Sequence, residues 1–582
     1  MIEFTIEFCR YLLSTSPPTK ARERFWLGLT VVFSLTYSLM ALQKAFDSTY
    51  VVQDDARQHV FWMQRFLDPS LFPNDLIADY FQTVAPSGYT TVYRLAAGWG
   101  IDPLLFSKLL PVAIALVTTI YCFYCTLLLF PVAIAAFSSS LLLAQSFWMN
   151  FDVVSATPRA FLYPIFIAFV YYFLKRSWLG IGGAIALLGL FYPQYVFIAS
   201  GLLLLQVIEV EKGSLKLCKN WQTYRFCGWG LAIAFAVMLP YALKTNVYGP
   251  VIDGSQAVNL PEFWAEGRAQ FFNKNAFLFW TIGERSGILP PLLPPLIWLG
   301  VFLPFCLPRL RRSRDRFPLV GLIQPQIRGL FLRLGCSSLG MFVAAHLFLF
   351  KLHLPNRYIE HTWRFLLAIA SGIFIAILWD AALKLKVEKH QLWGRMAAIG
   401  LAIALLGYPI YTPSFPRTNY RPGRLPELYS FFQQQPKNIA IASLSGEANN
   451  LPTFSHRSIL VGREYAIPYH LGYYRQFSQR IRDLIEAQYT PELSVVKQFI
   501  DRYRVNFWLV ERSAFSPEYL ENQGWLHQYQ PQTQQAIADL RSSEATVKVP
   551  VVAAAIDRCR VFESGDFVVL DARCIVGNPS LE

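Results

Sequence analysis

Val51-Val52-Gln53-Asp54-Asp55-Ala56-Arg57-Gln58-His59-Val60-Phe61-Trp62 follows the first long apolar segment of the chain and carries two adjacent carboxylates. A helix that has crossed a bilayer surfaces at this point, and Arg57, His59 and Trp62 continue with helix-compatible spacing. The stretch reads as a polar cluster held against a membrane surface, a place suited to a lipid-linked substrate.

Composition points the same way. Of 582 residues, 54% are hydrophobic and only 15% charged, and mean hydropathy is positive. That is too apolar for an ordinary soluble enzyme and predicts a polytopic α-helical membrane protein. The net charge of +14 comes from short Lys and Arg clusters between apolar segments, the signature of cytoplasmic loops. It reports topology and implies no nucleic-acid partner.

Apolar spans fall near 25–44, 104–127, 131–148, 160–174, 178–192, 195–210, 227–244, 288–307, 334–350, 364–382 and 394–411, to be compared with the ~20 residues a helix needs to cross. They predict about eleven crossings, with the short spans at 160–192 open to being tilted, broken or buried helices. The start is acidic and interrupted, so no cleavable signal peptide is expected and the first span stays as an anchor. With the N-terminus inside, Lys175-Arg176, Lys212 to Arg225, Arg309 to Arg333 and Lys384 to Arg395 all face the cytoplasm, as the positive-inside bias requires. The plasma (inner) membrane is the expected location.

The outer side then receives a large first loop (45–103), the loops Asn150 to Arg159, 245–287 and Lys351 to Trp363, and everything after 411. These segments mix acids, His, Arg and aromatics, and loops of that kind on a rigid scaffold carry function. Asp54 and Asp55 are the first candidates, against the plain alternative of helix-start acids. Asp79, flanked by Tyr80 and Phe81, is a second candidate carboxylate, while Asp68 and Asp75 read as caps. Arg159 ends a loop that Asp152 begins, and reaches either substrate or lipid headgroups. Arg357, His361 and Arg364 share a helix face entering the membrane. Cations at a helix start oppose its dipole and call for an anion, which a phosphate, Glu360 or an acid from another loop supplies. The 245–287 loop, with Glu262, Glu266, Arg268, Glu284 and Arg285, either covers the site or is solvated.

The order of a membrane helix, a long outer loop opening with Asp54-Asp55-Ala56-Arg57, many spans and a C-terminal outer domain resembles the GT-C membrane glycosyltransferases. It looks most like the protein O-mannosyltransferase and lipid A aminoarabinose transferase branch, whose first outer loop opens with an Asp-Glu pair. Here Asp55 stands where Glu is usual. The resemblance implies an inverting transfer of a sugar from a polyprenyl-phosphate donor to a lipid, glycan or protein acceptor. Asp54, matching the first acid, would be the base, with Asp55 and Asp79 beside it. Arg57, His59, Arg159, Arg357, His361 and Arg364 would bind substrate. A divalent metal, Mg or Mn, is an option at Asp54 and Asp55. The leaving phosphate gains charge, and one well-placed donor is worth ~2.7–4 kcal/mol of barrier.

Beyond residue 411, prolines at 413, 416 and 422 mark an exit, dividing a membrane domain (1–411) from an extracytoplasmic α/β domain (412–582). Strands are predicted at Asn438 to Leu444, Ser458 to Val461 and Asn506 to Val510, with helices at Leu425 to Gln434, 472–488 and 491–503. Cys559 and Cys574 flank the turn Ser564-Gly565-Asp566, as a disulfide or as two buried thiols. Cys122 and Cys125, a C-x-x-C inside an apolar span, read as packing. Two other functions fit the composition. One is a transporter or flippase for a lipid-linked or anionic solute, although no repeat is visible; the other is a membrane-anchored scaffold.

Overall fold

The computed structural model describes residues 19–211, 214–384, 388–543 and 549–577. The N-terminal stretch read as lacking a signal peptide, Cys9, Lys212 and part of the Lys384 to Arg395 loop lie outside the described residues. The first span is α1 (Lys20–Ala45), capped by the Thr19 side chain. After it come β1 (Val51–Gln53), α2 (Asp54–His59), α3 (Leu76–Val84) and α4 (Ser87–Gly98) of the 45–103 loop.

Nine more helices and one short one complete the bundle: α5 (Pro103–Leu129), α6 (Ala133–Met149), α7 (Pro158–Leu174), α8 (Trp178–Phe191), α9 (Gln194–Gln206), α10 (Trp221–Leu243), α11 (Leu299–Arg312), α12 (Gln326–Leu347), α13 (Pro355–Leu383) and α14 (Glu388–Tyr411). A hairpin of β2 (Ile208–Glu211) and β3 (Ser214–Leu217) links α9 to α10. Prolines at the first position of α5, α7 and α13 preset the backbone for a helix.

The expected spans fall one to one on α1 and α5 to α14. Among the described residues six helices, namely α1, α5, α10, α12, α13 and the 391–411 part of α14, are long and apolar enough to cross a membrane. Helices α6 to α9 are shorter apolar helices. The α-helix expected at 288–307 begins only at Leu299, because Pro290, Pro291 and Pro294 break the backbone before it and a 3-10 turn over Pro295–Trp298 leads in.

Helix α13 is the axis of the bundle, packed on α6, α11, α12 and α14. Helix α6 is buried along its whole length, and Gly372 of α13 lets the two backbones approach: a Cβ there would lie 2.1 Å from Ser139 Oγ. Chain direction sorts the loops. The end of α6 and the starts of α7 and α13 share one end of the bundle, while Lys175-Arg176, Arg309 to Arg316 and Lys384 lie at the other.

Past α14 the chain returns to the 45–103 loop. β4 (Tyr420–Pro422) pairs antiparallel with β1, Gln53 opposite Tyr420, and Lys44 Nζ donates to the carbonyls of Ser414 and Pro416. A five-stranded sheet follows in the order β6-β5-β7-β9-β8. Its strands are β5 (Ala440–Ala442), β6 (Ser458–Ile459), β7 (Phe507–Glu511), β8 (Arg560–Ser564) and β9 (Phe567–Asp571). β5 runs parallel to β6 and β7, and β9 antiparallel to β7 and β8. Helices α15 (Pro426–Gln433), α16 (Leu471–Tyr489) and α17 (Leu493–Tyr503) lie within a residue or two of the predicted ranges. Gly565 turns the β8–β9 hairpin at φ +59°. Cys559 and Cys574 are joined as a disulfide across its base, Cα atoms 5.4 Å apart. Cys122 and Cys125 are buried and free.

Candidate active site

Helix α2 starts with Gln53 as its cap, whose Oε1 accepts from the backbone N–H of Asp55 and Ala56. Asp54 and Asp55 are thus first-turn residues, and their neighbours separate them. Asp54 Oδ1 takes Arg57 Nη2 at 2.7 Å and Arg421 Nε at 3.4 Å, and Oδ2 takes Asn419 Nδ2 at 3.2 Å. Both its oxygens are committed. Asp55 Oδ2 meets Arg159 Nη2 at 2.7 Å, while Oδ1 has no partner among the described residues, and the side chain is 39% exposed.

Asp55 faces a ring of cations. Burial pushes its carboxyl up, but Arg159, Arg268 and Arg357, joined by His59 once that is protonated in acid, outweigh burial and hold it below the ordinary value of 3.8. It stays a carboxylate at neutral pH. His59, one turn further on, is pushed down to about 4 by burial, opposed by Asp55 and reinforced by Arg159 and Arg268; at neutral pH it is an uncharged imidazole.

A second cluster sits directly behind. Arg364 of α13, fully buried, pairs with Asp152 of the α6–α7 loop and, at 2.9 Å, with Glu360. Arg357 Nη1 takes the other Glu360 oxygen at 3.3 Å, and Arg159 Nε lies 3.9 Å from Asp152 Oδ1. The anion that the cations of this helix start call for is therefore supplied from within, by Glu360 and Asp152 together. Tyr163 OH pairs with His361 Nδ1 at 2.8 Å, and His361 Nε2 is buried without a hydrogen-bond partner.

The 245–287 loop is packed in part: Glu262 is buried and Arg268 and Arg285 are tied down, while Glu266 and Glu284 are exposed. Arg268 Nη2 reaches Glu464 Oε2 at 2.9 Å, Arg285 Nη1 donates to Tyr469 OH at 3.3 Å, and Asn356 Nδ2 donates to the Glu284 carbonyl. Glu262 is buried, which pushes its carboxyl up to about 7 against the pull of Arg482. Residues beyond 411 also enter the site: Asn450 Oδ1 accepts from Arg57 Nη1 at 2.9 Å. Asn419, Arg421, Asn450 and Glu464 were invisible as site residues, because they carry no motif and meet α2 only through the fold.

The structure brings Asp54, Asp55, Arg57, His59, Arg159, Arg357, His361 and Arg364 into one continuous cluster, and leaves Asp79 apart. Asp79 pairs with Arg65 at 2.8 Å and lines a separate surface cavity with Phe66, Phe72, Gln82 and Arg94.

Asp54 and Asp55 do not form a metal pair, since their oxygens turn to different arginines. Asp152, Glu360 and His361 instead bring ligand atoms within 4.8 Å of one another, a donor set of the right chemistry. Yet every carboxylate oxygen in it lies within 4 Å of a guanidinium nitrogen from Arg159, Arg357 or Arg364. A divalent ion would have to displace those cations, so the residues present do not fit one and no step is derived through it.

No protein-family model and no curated protein matches the chain. Among solved structures, the Archaeoglobus fulgidus oligosaccharyltransferase in its apo form aligns with a TM-score of 0.56 at 11% identity, over 88% of this chain and 72% of that one. The same enzyme tethered to an acceptor peptide containing the NVT sequon aligns at 0.55 and 12% identity, over 89% and 72%. ArnT from Cupriavidus metallidurans in the apo state is a looser likeness, 0.45 at 12% identity, over 96% and 99%. The chain has the fold of the GT-C membrane glycosyltransferases. Within that class the archaeal oligosaccharyltransferase is a protein it resembles in overall fold.

Proposed function

We propose that this integral membrane protein is a glycosyltransferase that moves a sugar from a polyprenyl-phosphate donor to a lipid, glycan or protein acceptor at the outer face of the membrane, with Asp55 as the base. One observation carries the reading: Asp55 has one oxygen fixed by Arg159 and, among the described residues, the other free, on a side chain that is 39% exposed and within electrostatic reach of Arg268 and Arg357. Asp54, which the family pattern favours, has no free oxygen and is assigned to hold the outer loop.

In the step that follows, the acceptor oxygen attacks the anomeric carbon and the bond from that carbon to the phosphate oxygen breaks. The phosphate leaves with the electron pair, so the lipid phosphate gains negative charge, which Arg268 and Arg357 offset. The acceptor proton passes to Asp55 Oδ1. A carboxylate held low on the pH scale is a weak base, and it suffices because the acceptor proton becomes acidic once its oxygen bonds to carbon. Attack opposite the leaving phosphate inverts the anomeric centre. Arg159 orients Asp55, and Arg57, His361 and Arg364 with Asp152 and Glu360 keep the cleft wall in place.

We place the site outside, the N-terminus inside and residues 412–582 as an extracytoplasmic α/β domain, because the basic loops sit at the bundle end opposite Asp55. The test is reconstitution in proteoliposomes with a panel of polyprenyl-phosphate sugars and acceptors. Sugar transfer with release of polyprenyl phosphate supports the reading. Solute uptake without any transfer replaces it with a carrier.

A further inference from the structure

Glu464, in the segment beyond residue 411, pairs at once with Arg57 and Gln58 of α2 and with Arg268 of the 245–287 loop. Its Oε1 lies 3.2 Å from Arg57 Nη2. Its Oε2 accepts from Gln58 Nε2 at 2.7 Å and from Arg268 Nη2 at 2.9 Å. Its own N–H donates to Asn449 Oδ1 at 3.0 Å, and the neighbouring Tyr465 OH donates to the Asn449 carbonyl at 3.1 Å. The side chain is 13% exposed. Burial pushes the Glu464 carboxyl up, and Arg268 and Arg57 more than reverse that, so it is charged.

Arg268 is the cation that Glu464 aims. Its guanidinium lies within electrostatic reach of Asp55, Asp54 and His59, and its Nε is buried with no hydrogen-bond partner. A buried guanidinium donor left unpaired is costly unless an acceptor arrives. The charge of Arg268 is only half spent on Glu464, which divides its own between Arg268 and Arg57. The backbone on either side of Arg268 is held by Ala269 N–H donating to the Glu262 carbonyl at 3.2 Å and by the buried side chains of Ala269 and Phe271, while the side-chain hydrogen bond that aims its guanidinium runs to Glu464.

We propose that Glu464 is a positioning residue for donor binding: it holds Arg268 over the Asp55 cleft, so that a lipid-linked phosphate is gripped only while the segment around residue 464 is docked on α2. The inference rests on the glycosyltransferase reading for what the phosphate belongs to. It adds that the region beyond residue 411 takes part in holding the donor, in addition to any part it has in holding the acceptor.

The experiment is a double-mutant cycle on the full chain with Glu464→Gln, Arg268→Gln and both together, scored by donor KM, kcat and direct binding of undecaprenyl phosphate. Loss of positioning predicts that Glu464→Gln raises donor KM and the binding constant about tenfold, within the range that coupled neighbours show. kcat should change far less, as expected when ground-state and transition-state binding fall together. The double variant should be no worse than Arg268→Gln alone. Glu464→Asp, which keeps the charge but shortens the reach, should fall between wild type and Glu464→Gln, and it replaces Glu464→Gln in the cycle if the latter does not fold. Additive effects, or wild-type binding in Glu464→Gln, overturn the inference. Wild-type protein that binds no undecaprenyl phosphate overturns the donor assignment itself, a separate result.

Discussion

Arg159 Nη2 and Asp55 Oδ2 lie 2.7 Å apart, joining the first turn of α7 to the first turn of α2 across 104 residues of sequence. This contact fixes one carboxylate oxygen and leaves the other without a partner among the described residues. It is the bond on which the proposed chemistry depends.

Removing that contact should change the pH profile. Asp55 is held below 3.8, so the wild-type rate, following the charged carboxylate, should be flat from neutral down to about pH 5. Arg159→Gln takes away the largest cationic influence on Asp55, which weakens the preference for the charged form. The carboxyl value then rises, and the acid limb of the profile should move up toward neutral. Rate against pH for the two proteins decides it; unchanged limbs would detach Arg159 from Asp55.

Arg364 and Asp152 are both essentially unexposed, so neither can lose its partner cheaply. Breaking a buried pair from one side typically costs ~3–5 kcal/mol. Arg364→Gln or Asp152→Asn should each lower the thermal midpoint in detergent, and the double change should be milder than the sum. Additive losses would mean that the pair is not the unit.

Adding EDTA should leave transfer intact. The carboxylates of Asp152 and Glu360 already answer to three guanidinium groups, which leaves no anionic surplus for a divalent ion. Activity that vanishes with chelator and returns with Mg or Mn would show that arginines give way to a metal here.

The helices were legible in the sequence because long apolar runs leave the backbone few choices, and the strands around Ile441, Ile459 and Trp508 because short β-rich runs sit between turn signals. What could not be read was direction. Asp54 and Asp55 are adjacent on a helix, so their side chains diverge by roughly 100°, and which one meets the cleft is decided by Asn419, Arg421 and Arg159, all distant in sequence. Asp79 had an aromatic setting like that of a site acid, yet its partner is Arg65 on its own loop. Arg268 and Glu464 lack any local pattern; they matter only because two loops meet.

Topology is open to labelling. A Cys placed at Gln434 should react with an impermeant reagent in intact cells, and one at Arg312 should not, since the basic clusters gather at the bundle end away from Asp55. The reverse pattern would put the site in the cytoplasm.

The most direct measurement compares sugar transfer by wild type, Asp55→Asn and Asp54→Asn at equal folded protein in proteoliposomes. Loss of a general base commonly costs ~10²–10⁴-fold in turnover, so Asp55→Asn should fall by that factor while keeping its fold and its donor KM. Asp54→Asn, which can still accept from Arg57 and cap the loop, should keep much of the rate and lose mainly stability. Wild-type turnover in Asp55→Asn, or the larger loss in Asp54→Asn, would contradict the assignment of Asp55 as the base.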